Sequence, residues 1–296
     1  MDLKHHRIWN TVVTVILLLL SAACLVPLLL LIMSSITSET ALLKNGYSLF
    51  PAEFGFESYR YLWTSRAQIG RAMLMTVLST LCGMSLSVTI TTLMAYPLSR
   101  QYLPGRNFFS FFVFFTMLFS GGTIPSYLMW TQTFHIKDTF FALILPNLLM
   151  SGFAVIMVRT YFTSSIPESI LEAAKIDGAS EMGILIRIVL PLSKPIMATI
   201  ALMSALVYWN DWINGLYYLV RRTDLYTIQN LLNRLITSAD FLSNNEANSM
   251  ITSGIRVPSV GVRMAVAVVA LLPVLAIYPF FQKGFVKGIV IGGVKG

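Results

Sequence analysis

The residues whose type and spacing could do chemical work lie in two stretches. The first is "EAAKIDGASEMGILIRIVLP", Glu172 to Pro191, a polar, glycine-punctuated segment between apolar runs, with four charged side chains in its first ten residues. The second is "YWNDWINGLYY", where Asp211 stands between Asn210 and Asn214 among Trp209, Trp212, Tyr217 and Tyr218. Neither has the pattern of a catalytic centre. The chain contains no Gly-x-x-x-x-Gly-Lys-Ser/Thr loop, no His-Glu-x-x-His and no Gly-x-Ser-x-Gly. His5, His6 and His135 are too scattered to hold a metal ion. What these residues offer is docking and hydrogen bonding.

The first stretch and the residues before it read as two short helices with a break. "SIPE", Ser165–Glu168, predicts a capping box, with the Ser165 hydroxyl on a first-turn amide and Glu168 reaching back. Pro167 would then sit in the first turn, where no intrahelical donor is lost. Helical spacing puts Ile166, Ile170, Ala173 and Ala174 on one face, small enough for close approach of another surface, with Glu172 beside it as a charge for pairing. Gly178 is placed to end the helix in a left-handed conformation. A second helix over 180–187 leads to Leu190–Pro191, which sets the turn into the next apolar run.

Asp211 is the one carboxylate placed well inside an apolar run. Acids there face a water-filled cavity or a polar partner. Aromatic faces with amides and a carboxylate suit sugars, whose CH faces stack and whose hydroxyls need partners. The same residues equally suit hydrogen bonds between helices and an interfacial aromatic belt. Both readings stay open at this point.

The elements that must position these residues are set by composition. The chain is 56% hydrophobic and 11% charged over 296 residues, against about 25% charged for a soluble domain. Such a chain cannot cover a globule with polar groups, so its solvent is lipid. The net charge of +8 sits mainly at the edges of apolar runs, where Lys and Arg anchor to headgroups, which argues for a membrane and against nucleic acid. Cys24 and Cys82 both lie in apolar segments, so no disulfide framework is indicated.

Six runs, Thr11–Met33, Ala72–Leu98, Phe108–Met129, Phe140–Val158, Pro195–Leu219 and Val262–Phe281, are each long enough to cross a bilayer as a helix. The expected fold is therefore an all-α integral membrane protein with six transmembrane helices. The first run imitates a lipoprotein signal at "LLSAAC" but continues as "LVPLLLLIM", and Ser21 stands where a lipobox has leucine, so it reads as an uncleaved helix. Gly121, Gly122 and Pro125 suggest a broken or closely packed third helix. An even span number puts both termini on one side. The short loop with Arg100 and Arg106, against Lys137 alone in its counterpart, makes that side the cytoplasm. The long segments 34–71 and 220–261 then lie outside, and the polar loop 159–194 inside. Organisation follows as an N-terminal helix and outer loop over 1–70, a core of 71–284 and a cytoplasmic tail of 285–296.

The spacing Glu-Ala-Ala, three residues, Gly, nine residues, Ile-x-Leu-Pro is met by Glu172, Ala173, Ala174, Gly178, Ile188, Leu190 and Pro191. Together with "FSGGTIPSYLM" at 119–129, "LPLSKPIMATIAL" at 190–202, "YWNDW" at 208–212 and the tail "QKGFVKGIVIGGVKG" at 282–296, it makes the chain resemble permease subunits of binding-protein-dependent ABC importers. Within them it is similar to the carbohydrate-uptake branch, in particular the shorter permease of maltose-type and lipoprotein-permease-type pairs. The resemblance implies a type I importer permease fold in a bacterial cytoplasmic membrane. It implies that the polar loop is a coupling helix seated on an ATPase, with Asp177 among the coupling residues and Glu172 paired to a basic residue of that subunit. The implied partners are a second homologous permease, two ATP-binding subunits carrying ATP and Mg, an extracytoplasmic solute-binding protein and membrane lipid. No cofactor would be bound by this chain itself, and Trp209, Asn210, Asp211, Trp212 and Asn214 become candidates to line the cargo path. The implied cargo is an oligosaccharide, with uronate-containing ones such as alginate fragments as one candidate. The rival function is an ion-coupled secondary transporter, for which a lone Asp211 gives thin support.

Overall fold

In the computed structural model, residues 3–244 and 260–293 are described, and their regular structure is helical. The side chains of the tail, those of Lys4 and Arg7, and segment 245–259 lie outside the described residues. In chain order the helices are α1 Leu3–Ser35, α2 Glu39–Asn45, α3 Glu57–Thr64, α4 Arg66–Ser99, α5 Arg106–Leu118, α6 Thr123–Leu128, α7 Gly152–Ser165, α8 Glu168–Ile176, α9 Glu181–Ile184, α10 Leu190–Leu192, α11 Lys194–Trp209, α12 Ile213–Tyr218, α13 Ile228–Asn244 and α14 Val260–Gly293.

The chain forms two compact units, Met1–Ile69 with Leu232–Pro273 and Gly70–Leu231 with Val274–Gly296. In the first, the apolar stretch of α1 is unburied within the chain, as a lipid-facing helix requires. Ser38 caps α2 by accepting from the Ala41 amide at 3.3 Å. The Glu39 carboxylate accepts from the Val260 and Gly261 amides at 3.1 and 3.3 Å, which satisfies the otherwise unpaired first amides of α14.

The second unit holds the larger core. Val155, Val158, Phe162, Ile184, Val189 and Ile200 are almost fully buried there. One face of α4 is lined by small residues, including Thr76, Ser79, Gly83, Ser87 and Thr91, all buried. At Gly83 the missing side chain is filled by the Tyr208 ring. Tyr208 is 2% exposed, and its hydroxyl donates to the Ile144 carbonyl at 3.0 Å.

Three of the expected continuous spans are interrupted. The third breaks after Leu118: α5 and the helix Thr123–Thr133 meet at 110°. Gly122 has φ +84, which the bend requires, whereas a side chain at Gly121 would meet no other atom of this chain. The fourth is a short 3-10 turn at Phe140–Leu143, then irregular chain, then α7. Pro146 and the left-handed Asn147 (φ +60) break it, and Ser151 caps α7. The fifth ends at Trp209 and resumes as α12. Among the described residues, two helices are long and apolar enough to cross a membrane, or four if each of two bent pairs is one span.

Candidate functional site

Helix α7 runs on into the polar loop expected over 159–194 and stops at Ser165. The capping box expected at Ser165 does not form: Ser165 is still helical, and the first residue of α8 is Glu168, preceded by Pro167 in extended conformation (φ −60, ψ 131) with no side-chain cap. The reason is local. Proline disfavours a helical residue before it, and Ile166 accordingly adopts φ −108, ψ 114. A box starting at Ser165 would have needed Ile166 helical.

The far end of α8 behaves as its glycine predicts. Gly178 has φ +78, and the Asp177, Gly178 and Ala179 amides return to the Ala173, Lys175 and Ala174 carbonyls at 3.0, 3.0 and 2.9 Å. The faces of α8 differ from the expected single patch. Ile166, Leu171 and Ala174 turn inward onto Phe162 and Ile184, whereas Ile170, Glu172, Ala173, Ile176 and Asp177 face out. Ile176 is 87% exposed. Ile188 and Leu190 pack against the same core, Pro191 is exposed, and the chain turns by 85° at Ser193, two residues beyond the expected turn at Pro191.

A residue that the sequence did not single out ties this loop down. Ser180 caps α9 through the Gly183 amide at 3.2 Å, which presents Glu181 to the end of α4. There the Tyr96 and Tyr102 hydroxyls donate to its two carboxylate oxygens at 2.7 and 2.6 Å, and Lys175 from α8 pairs with it at 3.0 Å. The Lys175 ammonium also sits 3.6 Å from the Tyr102 ring centre. Burial alone would raise the Glu181 carboxyl, but hydrogen bonds from Tyr102, Tyr96 and Lys175 hold it at about 2, below the ordinary 4.5. A depressed carboxylate stabilises the fold above its unfolded pKa and loses that contribution as pH falls through the folded one. The clamp is therefore complete at neutral pH and fails between pH 4.5 and about 2. At pH 7, Glu181→Gln is expected to speed amide exchange across 168–189 by about threefold to tenfold; an unchanged rate would mean that the clamp does not hold the loop. A cavity of about 240 Å³ lies alongside, lined in part by Arg100, Glu168, Glu172 and Lys175. Glu172 itself makes no hydrogen bond or ion pair with a described residue.

The second stretch is a helix interrupted at Asn210–Trp212. Asp211 occupies the break between α11 and α12, where its Oδ1 accepts from the Ile213 and Asn214 amides at 3.1 and 3.3 Å. Trp209 and Asn214 are turned into the protein, 6% and 3% exposed, and Asn214 Nδ2 donates to the Pro146 carbonyl at 3.0 Å. Asn210 and Trp212 are exposed and Asp211 half-buried. The structure thus narrows the accessible set to Asn210, Asp211 and Trp212. Thr227 and Asn230 brace the break by donating to the Asp211 and Trp212 carbonyls at 3.4 and 3.2 Å. Asp211→Asn keeps the acceptor and is expected to leave complex melting unchanged, whereas Asp211→Ala should lower stability by about 1 kcal/mol. An Asn variant melting as low as the Ala variant would show that charge, not the acceptor, holds the turn.

Among the described residues no three His, Cys, Asp or Glu side chains gather as a metal site. The sequence profile of the family described as "Binding-protein-dependent transport system inner membrane component" matches residues 86–291. The chain is 39% identical over 263 residues to the polygalacturonan/rhamnogalacturonan transport system permease protein YtcP of Bacillus subtilis (strain 168), across 89% of this chain and 90% of that protein. It is 37% identical over 262 residues to Protein LplC of the same strain, across 88% and 86%. A chain of a bacterial ABC transporter involved in the import of the acidic polysaccharide alginate superposes with a TM-score of 0.78 at 29% identity, over 96% of this chain and 98% of that one. With a matching profile over most of its length and this shared all-helical architecture, the chain belongs to the inner membrane components of binding-protein-dependent transport systems and has the type I ABC importer permease fold.

Proposed function

We propose that this permease forms half of the translocation path of an ATP-driven importer for acidic oligosaccharides. The observation that carries the reading is the outward face of α8. Glu172 has no partner among the described residues and stands beside exposed Ile170, Ala173 and Ile176 on a helix whose far end is held by the Gly178 turn and the Lys175–Glu181 pair. An unpaired charge beside exposed apolar side chains, rigidly held, suits a socket on another subunit. In this reading α8 docks on a separate ATPase, which binds ATP and Mg and performs the hydrolysis. ATP-driven closure of two such subunits draws the coupling helices together and opens the translocation path outward. A solute-binding protein then delivers sugar, and a second permease completes the path. Six spans with both termini in the cytoplasm accord with the loop charges, each broken helix counting as one crossing.

The substrate class follows from what the relatives carry. One is named for polygalacturonan and rhamnogalacturonan, and another serves alginate. All three polymers contain uronates. Exposed Asn210 and Trp212 with half-buried Asp211 are the side chains offered as cargo contacts. The test is ATP hydrolysis by the reconstituted complex with its binding protein, given oligogalacturonides, alginate oligomers or neutral maltodextrins. Stimulation by a uronate oligomer is expected. Stimulation by maltodextrins alone would overturn the acidic-sugar assignment.

A further inference from the structure

Arg106 and Arg159 aim their guanidinium groups at one atom. The Nε of each donates to the Leu98 carbonyl oxygen at 3.1 Å. Arg106 opens α5, Arg159 lies in α7, and Leu98 belongs to the last turn of α4. Like charges brought this close repel unless a counter-charge stands beside them. Burial, and then the charge of Arg106, push the Arg159 guanidinium below its ordinary value. No carboxylate among the described residues answers them. The ion pairs among the described residues are Lys175–Glu181 and Arg222–Asp224. The sequence has no Asp or Glu in α4, from Ser99 to Lys137, or from Thr139 to Pro167. One carbonyl oxygen is a partial charge, and the Nη atoms of both residues make no hydrogen bond to a described residue. Beyond Arg106, α5 exposes Phe108, Phe109, Phe112 and Phe115. Two cations with no carboxylate partner among the described residues therefore stand at the start of α5, a helix whose phenylalanines are exposed, in a chain built for lipid.

The geometry points to a binding site for the phosphodiester of an anionic membrane lipid, held by Arg106 and Arg159, with acyl chains along the phenylalanine strip of α5. Guanidinium forks match phosphate oxygens two at a time, and basic clusters at helix ends take such headgroups. Free phosphate offers the same oxygens without the chains, and the strip of phenylalanines favours the lipid. The assignment needs only the membrane setting, not the cargo or the ATPase.

The experiment is native mass spectrometry of the detergent-purified transporter, with its cognate subunits, after exposure to equal phosphatidylglycerol and phosphatidylcholine. The wild type is expected to retain phosphatidylglycerol over phosphatidylcholine by roughly thirtyfold. Arg106→Gln/Arg159→Gln should bring the ratio close to unity, Arg106→Lys/Arg159→Lys should keep part of it, and Arg60→Gln on exposed α3 should leave it unchanged. A wild-type ratio in the double Gln variant overturns the site. Loss of bound phosphatidylglycerol to added inorganic phosphate overturns the lipid as its occupant. If the double variant does not assemble, Arg106→Gln alone is expected to lower the ratio about fivefold, and no change overturns the proposal. Lipid retention does not read transport, so a failure here is separable from a failure of the proposed function.

Discussion

A transporter carrying Glu172→Lys is expected to insert and assemble, yet to hydrolyse ATP only at its unstimulated rate when sugar-loaded binding protein is added. Glu172 is exposed, takes no part in the Glu181 clamp and has no partner among the described residues, so reversing it leaves the fold untouched. If α8 docks as proposed, what it removes is a charge for pairing in the socket, and a reversed charge there adds repulsion to the lost attraction. Breaking one side of a desolvated charge pair costs about 2–5 kcal/mol. Stimulated ATPase should therefore fall about thirtyfold or more. Glu172→Gln, which keeps shape and hydrogen-bonding capacity, should fall between the two. The measurement is phosphate release in proteoliposomes with and without loaded binding protein. Normal stimulation in the Lys variant would show that α8 does not engage the ATPase through this residue.

Gly83→Val is expected to have the largest effect on folding. The Tyr208 ring occupies the space a Cβ at Gly83 would need, and Tyr208 is nearly fully buried. A valine must drive the ring out, which also withdraws its hydroxyl from the Ile144 carbonyl. Overpacking costs about 1–3 kcal/mol and an abandoned buried acceptor about 1–3 more. Yield and melting temperature of the complex should both drop sharply. Tyr208→Phe, which loses only the hydroxyl, should cost about 1 kcal/mol. Replacing Tyr208 by Leu in the Gly83→Val background should recover part of the loss. Wild-type melting of Gly83→Val alone would mean that α4 and α11 do not pack in this way.

Sequence legibility followed the range of the interactions. The end of α8 was readable at Gly178 because a left-handed residue after a helix is a local requirement that glycine meets. The start of α8 was misread, although the signal was present: the constraint that Pro167 places on Ile166 outweighs the pattern Ser-x-x-Glu. Apolar length was a good guide to α1, α4 and α14 and a poor one for the third, fourth and fifth runs, since hydropathy is blind to breaks. Pro146–Asn147 and Asn210–Asp211 interrupt runs that read as single spans, and the Asn210 and Asp211 side chains bond to backbone groups at their break. Asp211 and Asn214, singled out for cargo, spend hydrogen bonds on the chain's own backbone. The Glu181 clamp was not legible at all. It joins residues 85 and 79 positions apart, and no local pattern in "SEMG" announces a tyrosine pair waiting at the end of α4.

The central claim is that this permease works by ATP-driven coupling through its polar loop, and uptake into proteoliposomes tests it most directly. Vesicles containing the permease pair and ATPase, with binding protein and a labelled uronate oligomer outside, are either loaded with ATP or given a proton or sodium gradient without ATP. Accumulation that requires internal ATP, is unmoved by either gradient and disappears in Glu172→Lys is the predicted result. Accumulation driven by a gradient in the absence of ATP would contradict the account and favour an ion-coupled carrier.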